Sequence, residues 1–222
     1  MQLIEKIISI VAPHICLGCG LEVNRLVCEA CVQEITPVPS RCYRCKAVTD
    51  NYATCDQCSQ QTPLKQVLVL AHHDGLARKL IHHLKYGRAQ AGSREAAQLM
   101  LGHLDYLDEG LLVEVPTATS RVRMRGYDHA VLLASELADL SRWQQSSLLA
   151  RVGQTQQMGS NRAKRLRQLE SAFRPIHADR ISGAHVILVD DVLTTGATLE
   201  TAARILRRAG AKRVDAIVFA QA

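Results

Sequence analysis

Thirteen consecutive residues carry the densest chemistry in this chain: Val186-Ile-Leu-Val-Asp190-Asp191-Val-Leu-Thr194-Thr195-Gly196-Ala197-Thr198. An apolar run, read as a buried strand over 186–189, ends in two carboxylates. A loop of small hydroxyl residues then passes through Gly196 into a helix predicted over 198–209. At such a helix start the unsatisfied N–H groups and the positive end of the helix dipole point at one spot, which is a cradle for phosphate. Carboxylates repel phosphate, but they suit a neighbouring pair of hydroxyls. A phosphate beside a vicinal diol describes a ribose 5-phosphate. The plainer alternative, an Asp-rich strand end followed by a Thr N-cap, calls for neither both acids nor the whole small-residue loop.

A second set of reactive side chains lies far upstream. The eight cysteines fall between Cys16 and Cys58, spaced C-x2-C-x8-C-x2-C over Cys16, Cys19, Cys28 and Cys31, then C-x2-C-x9-C-x2-C over Cys42, Cys45, Cys55 and Cys58. Two thiolates on one Cys-x-x-Cys turn converge on a tetrahedral ion at about 2.3 Å each, and a second turn closes the shell. Two structural zinc ions account for all eight sulfurs and leave no open position for substrate. Disulfides, a thioredoxin-like redox pair and iron–sulfur ligation are the alternatives, and four pairs at these intervals favour zinc. The short gap inside each unit favours sequential quartets over an interleaved cross-brace. Metal binding would provide much of the folding free energy of so small a module.

These groups must be positioned by the rest of the chain. Beyond Thr62 a βα rhythm appears, with strands predicted over 66–72, 111–115, 186–189 and 214–219 and helices over 76–86, 94–104, 128–139 and 198–209. Alternation of this kind implies an α/β fold, a mainly parallel sheet with helices on both faces, and ligands at the carboxyl ends of its strands. The expected organisation is a cysteine module over 1–62 followed by the α/β domain over 63–222.

Charge divides at the same point. Five Lys/Arg face six Asp/Glu up to Thr62, and twenty-two face fifteen after it, so the second domain is the basic one, suited to phosphorylated ligands or nucleic acid. Residues 1–11 contain Glu5 and Lys6 and read as a short amphipathic helix, not as a secretory signal. No run approaches the roughly 20 apolar residues of a membrane span. The expected compartment is the cytosol, without membrane insertion, where paired cysteines are metal ligands more often than disulfides.

The 186–198 segment resembles the phosphoribosyl pyrophosphate motif of the type I phosphoribosyltransferases, without a gap across its thirteen positions. That resemblance implies that Asp190 and Asp191 contact the ribose 2′- and 3′-hydroxyls, while Thr194, Thr195, Gly196, Ala197 and Thr198 bind the 5′-phosphate. Together with the cysteine module, the chain is similar to the ComF family, associated with competence and related to the GntX proteins. The likeness includes His73-Asp-Gly-Leu through His83-Leu-Lys85-Tyr86-Gly87, Val115-Pro116, Arg125-Gly126-Tyr127-Asp128-His129-Ala130, Gln154-Thr155-Gln156 and 162–173. Family members usually carry Arg-Gly-Phe-Asn-Gln-Ala at 125–130, so Asp128 and His129 add a negative charge and a titratable ring.

The same resemblance places a pyrophosphate loop at Val115-Pro116-Thr117, with Lys85 in reach of the same anion. Arg121, Arg123 and Arg125 alternate with uncharged residues and would project to one side of an extended stretch, able to grip phosphates. The cationic stretch 154–174 resembles the mobile flap of the superfamily and equally suits nucleic-acid phosphates. For both basic segments a solvated surface is the plainer reading.

Three functions follow as expectations. A catalyst would displace pyrophosphate from C1 of phosphoribosyl pyrophosphate by a nitrogen nucleophile, with Mg²⁺ held through substrate oxygens. A binding protein would use the same fold to handle single-stranded DNA during uptake, although 4% aromatic content leaves few stacking platforms. A third would dock competence-machinery proteins through the zinc module.

Overall fold

The computed structural model describes residues 14–87, 89–152 and 172–222. The helix expected within residues 1–11 lies outside the described residues, as does the flap-like stretch 154–174 except for its last three residues.

In chain order the cysteine segment contributes β1 (His14–Ile15), β2 (Glu22–Val23), α1 (Glu29–Gln33) and α2 (Asp56–Ser59). There follow β3 (Leu64–His72), α3 (Gly75–Tyr86), α4 (Ala89–Leu101), β4 (Leu111–Glu114), α5 (Thr119–Arg125) and α6 (His129–Ser141). The chain closes with β5 (Leu149–Arg151), β6 (Phe173–Pro175), α7 (Ala178–Ile181), β7 (His185–Leu193), α8 (Ala197–Arg208) and β8 (Arg213–Gln221). The main sheet is four-stranded in the order β3-β8-β7-β4, and every neighbouring pair is parallel.

The apolar runs explain that order. Val186, Ile187, Leu188 and Val189 of β7 are all fully buried, as are Val214 and Ala216 to Ala220 of β8. Strands apolar on both faces need cover on both, so they take the centre of a parallel sheet. One face carries α3, α4 and α6, whose Leu80, Leu84, Met100, Leu133 and Leu137 join Ile187, Val189 and Phe219 in one cluster. The other carries α8, with Leu199, Ala202, Ala203 and Leu206 buried at helical spacing against Val186, Leu188 and Val218. Helices on both faces of a parallel sheet are what the sequence pattern implies.

The amino edge of the sheet is tied by a buried acid. Asp215, fully buried in β8, accepts from Gln66 N (2.9 Å) and pairs with His185 Nε2 and Arg213 Nε at 2.7 Å each. A buried carboxylate is tolerable only when its oxygens are satisfied this fully. These contacts tie the N-terminal ends of β3, β7 and β8 together, at the opposite end from the carboxyl ends where parallel α/β sheets generally bind ligands.

The cysteine segment lies against both faces. Cys16, Leu26, Val27, Cys31 and Tyr52 belong to the cluster on the α3, α4 and α6 side, whereas Val38 and Tyr43 belong to the α8 side. Short bridges, Pro37 to Ala71 and Ala53 to Gln66, also join it to β3.

Candidate functional site

Strand β7 runs on to Leu193 and holds both acids within it, beyond the expected end at Val189, because Val192 and Leu193 still pair with Ala220 and Gln221 of β8. The turn that follows exposes Thr194 and Thr195. Gly196 then takes φ 78°, a left-handed geometry that favours glycine, and caps α8. The amide of Ala197 donates to Thr195 Oγ1 (3.4 Å), and the first intrahelical bond is Glu200 N to Gly196 O (2.9 Å). The amides of Thr198 and Leu199 precede that ladder and have no helical acceptor. The turn therefore sets two exposed threonines beside the first amides of a helix, in the place expected for the 5′-phosphate.

The two carboxylates differ sharply. Strand pleating sends them to opposite sides. Asp191 is buried (5% exposed), with Lys85 Nζ of α3 against Oδ2 and His129 Nε2 of α6 3.6 Å from Oδ1. Burial by itself raises its pKa, but the His129 contact and the Lys85 charge outweigh it and hold Asp191 well below the usual carboxylate range. Asp190 is densely surrounded yet keeps part of its side chain accessible. Burial first, and then the charge on Asp191, pushes its carboxyl well above the ordinary value, and its Oδ1 accepts a hydrogen bond from Asp191 N (2.9 Å).

On the far side of Asp191 the remaining expected residues form a linked cluster. Thr117 donates through both its amide (3.1 Å) and its hydroxyl (2.7 Å) to the carboxylate of Asp128, which also caps α6 by accepting from Ala130 N (3.0 Å). Arg125 reaches His129 Nδ1 (3.1 Å) and Tyr86 Oη (3.1 Å), with its guanidinium 4.7 Å from the centre of the Tyr86 ring. A guanidinium only donates, so Nδ1 accepts and the ring proton on Nε2 faces Asp191. Pro116 offers its carbonyl to Arg151 Nη1 (3.2 Å). Lys85, Thr117, Arg125 and Asp191 are thus brought together, each already holding a partner within the chain.

One expectation is corrected. Arg121, Arg123 and Arg125 do not lie on an extended stretch; they belong to α5, which ends at Gly126 with φ 81°. Helical periodicity puts Arg121 and Arg125 on one face and turns Arg123 away. The sequence signal for this was the glycine in the C′ position, the usual left-handed stop. Sequence reasoning also left out Asp128 as a latch on Thr117, His129 as a partner of Asp191, and Arg151. Only the departures at 128 and 129 pointed to any of these.

The cysteines group sequentially. The sulfurs of Cys16, Cys19, Cys28 and Cys31 lie within 4.8 Å of one another, and so do those of Cys42, Cys45, Cys55 and Cys58. Cys19 and Cys28 Sγ are 3.8 Å apart and Cys45 and Cys55 Sγ 3.5 Å, close to the roughly 3.8 Å edge of a tetrahedron with 2.3 Å bonds. All eight cysteines are free of disulfides. Burial raises the Cys16 and Cys42 thiols, yet backbone amides, those of Cys28 and Cys45 first, bring each down to about 6. Cys31, hydrogen-bonded to Cys28 and buried, and Cys58, buried foremost, are pushed up to about 12. Four sulfurs crowded together resist becoming thiolates at once, and a divalent ion removes that conflict. Each quartet could hold one zinc ion as a closed ribbon.

Among the described residues no helix is long and apolar enough to cross a membrane. The phosphoribosyl transferase domain model matches residues 144–222, a span that contains β7, the Thr194-Thr195 turn and α8. Among solved structures, glutamine phosphoribosylpyrophosphate amidotransferase from B. subtilis matches 62% of this chain and 30% of its own, at 18% identity and a TM-score of 0.45. Competence protein F of Haemophilus influenzae is 28% identical over 212 residues, 88% of this chain and 90% of that protein. DNA utilization protein YhgH of Escherichia coli K12 is 30% identical over 207 residues, 85% of this chain and 87% of that protein. With two four-cysteine clusters, a parallel α/β sheet of the type I phosphoribosyltransferase fold and relatives alike over nearly their whole length, this chain belongs to the ComF family.

Proposed function

We propose that the chain binds phosphoribosyl pyrophosphate or a related ribose 5-phosphate ligand at the carboxyl end of β7, as a protein of DNA uptake or utilization. The observation that carries this reading is the accessible Thr194-Thr195 turn opening onto the first amides of α8, directly downstream of the Asp190-Asp191 pair. The turn would hold the 5′-phosphate and Asp190 would meet the ribose hydroxyls, with Asp191 placed behind it by Lys85 and His129. Mg²⁺ would travel on ligand oxygens, since it keeps several waters and takes few protein ligands. The names of the relatives, competence protein F and DNA utilization protein YhgH, support the link to DNA. A cytoplasmic location accords with the eight free cysteines.

A binding role without turnover is the second reading, and a specific observation favours it. Lys85, Thr117 and Arg125, on the side where pyrophosphate would sit, are engaged with Asp191, Asp128, His129 and Tyr86. If turnover occurs, a nitrogen nucleophile displaces pyrophosphate through an oxocarbenium-like state, and the protein's part is positioning and charge stabilisation. In the binding role the partners would be single-stranded DNA, held by the basic domain, and proteins of the competence machinery. Calorimetric titration of phosphoribosyl pyrophosphate with Mg²⁺ into wild type and Asp190→Asn/Asp191→Asn tests the shared core of both readings. Heat with wild type and its loss in the variant are expected; equal heats from both proteins would remove the site assignment.

A further inference from the structure

The second cysteine quartet touches the phosphate turn. Its first knuckle reads Cys42-Tyr43-Arg44-Cys45, and Tyr43 is buried at 6% exposure. The Tyr43 ring lies directly under Gly196: a Cβ at that glycine would meet Cε2 at 2.9 Å and Cδ2 at 3.2 Å. Only a glycine fits there, first for its positive φ and second for the ring beneath it. The Tyr43 hydroxyl is 2.8 Å from Glu200 Oε1 and 2.8 Å from Thr62 Oγ1. Glu200 offers no proton as a carboxylate, so the phenol donates to it and accepts from Thr62. Arg44 Nε stands 3.4 Å from the same Glu200 oxygen. Two successive residues of one cysteine knuckle therefore hold the helix cap at Gly196 and the first turn of α8 at Glu200.

The first quartet is placed differently. Its knuckle, Cys16-Leu17-Gly18-Cys19, meets α3 through Lys79 Nζ to Leu17 O (3.1 Å), and Arg25 close by pairs with Glu95 of α4 (2.7 Å). Among the described residues it has no hydrogen bond or ion pair to residues 193–200.

We propose that Tyr43 is a positioning residue for the phosphate turn, and that through it metal occupancy of the second quartet, and not of the first, is coupled to occupancy of the turn. This rests on the reading that the turn binds a phosphate ester. A bound metal fixes the backbone of residues 42–45 and hence the ring under Gly196; without it the cap loses its floor and the α8 amides lose their common aim. Coupling of this kind is reciprocal, so a ligand at the turn must hold the metal in the second quartet by the same factor.

The test uses the full chain loaded with zinc. Ribose 5-phosphate is first titrated by calorimetry, and cysteine alkylation is then followed by peptide mass spectrometry under a zinc chelator, with and without the sugar phosphate. The ligand is expected to slow modification of Cys42, Cys45, Cys55 and Cys58 roughly 10-fold, within the usual range of allosteric coupling, and to leave Cys16, Cys19, Cys28 and Cys31 within about two-fold. Tyr43→Ala empties a buried place and puts the fold at risk, so Tyr43→Phe serves beside it: the ring stays, the bond to Glu200 goes, and protection of the second quartet should fall below about three-fold with the circular dichroism spectrum unchanged. Equal protection of both quartets, or none despite measured binding, would overturn the coupling. Absence of any binding heat would overturn the phosphate reading itself, and the coupling with it.

Discussion

The two halves of the proposed anion site differ in what their donors are doing. On the α8 side, Thr194 and Thr195 are exposed and the first amides of the helix have no helical acceptor. On the α6 side, Lys85 faces Asp191, Thr117 gives both its donors to Asp128, and Arg125 is spent on His129 and Tyr86. The first half keeps two exposed hydroxyls, and no carboxylate of the described residues is hydrogen-bonded to them. The second has satisfied itself with the chain's own carboxylates, so a pyrophosphate at C1 must displace Asp128 from Thr117 and compete with Asp191 for Lys85. The contrast is that the turn proposed for the 5′-phosphate stays open, while the side proposed for pyrophosphate is latched by the chain's own carboxylates.

The largest effect should come from breaking the latched half. Asp191→Asn leaves Lys85 facing an amide in a buried place, and removal of one member of a buried pair costs about 3–5 kcal/mol. In a chain of this size that is a fall in Tm of roughly 10 °C. Because the folded pKa of Asp191 is depressed, its contribution is fully present above the ordinary value of 3.8 and is lost as pH falls through the lower folded value. The gap in Tm between wild type and Asp191→Asn should accordingly stay constant from about pH 5 to 8 and narrow below about pH 4. A gap independent of pH throughout would mean that Asp191 is not held ionised by Lys85 and His129.

The open half should respond in binding and not in stability. Thr195→Val removes an exposed hydroxyl at the turn, and loss of a hydrogen bond to a charged group should weaken ribose 5-phosphate roughly 10-fold or more, with Tm shifted by no more than about 2 °C. Calorimetry beside a thermal melt separates the two. Unchanged affinity would place the phosphate elsewhere.

A smaller change sharpens the contrast. Asp128→Asn keeps a good helix cap for α6 but takes away the second carboxylate oxygen, which accepts from the Thr117 amide. The ratio of affinities for phosphoribosyl pyrophosphate over ribose 5-phosphate should rise about 10-fold, or about 1.4 kcal/mol. A ratio that stays fixed would show that the latch does not oppose a group at C1.

Much of this was legible in the sequence because it is local. The cysteine spacing gave both quartets, and the 186–198 segment gave strand, acids, turn and helix start in one run. Helix and strand positions were sound where apolar periodicity is strong, as in α8 and β8, and short where it is weak: α4 begins at Ala89, ahead of the expected residue 94, because its first turn is Ala, Gln, Ala and Gly. The alternating arginines of α5 satisfied a strand pattern, and only the stop at Gly126 argued against it.

What could not be read was every contact made across the fold. Lys85 meets Asp191 from the neighbouring helix layer, and His129 meets it from the start of α6, a pairing that no spacing rule encodes. Tyr43 finds Glu200 at a separation of 157 residues. The small antiparallel pair of β5 and β6, Leu149–Arg151 with Phe173–Pro175, escaped notice because each strand is three residues long. Partner choice at such distances is settled by how the layers pack, after local preference has done its work.

A crystal structure of the full chain with ribose 5-phosphate tests the central claim most directly. The phosphate is expected on the Thr194-Thr195 turn, within hydrogen-bonding distance of the Thr198 and Leu199 amides, with the ribose hydroxyls turned toward Asp190 and the Thr117–Asp128 contact intact. A phosphate seated instead on Lys85, Thr117 and Arg125, with the turn empty, would contradict it.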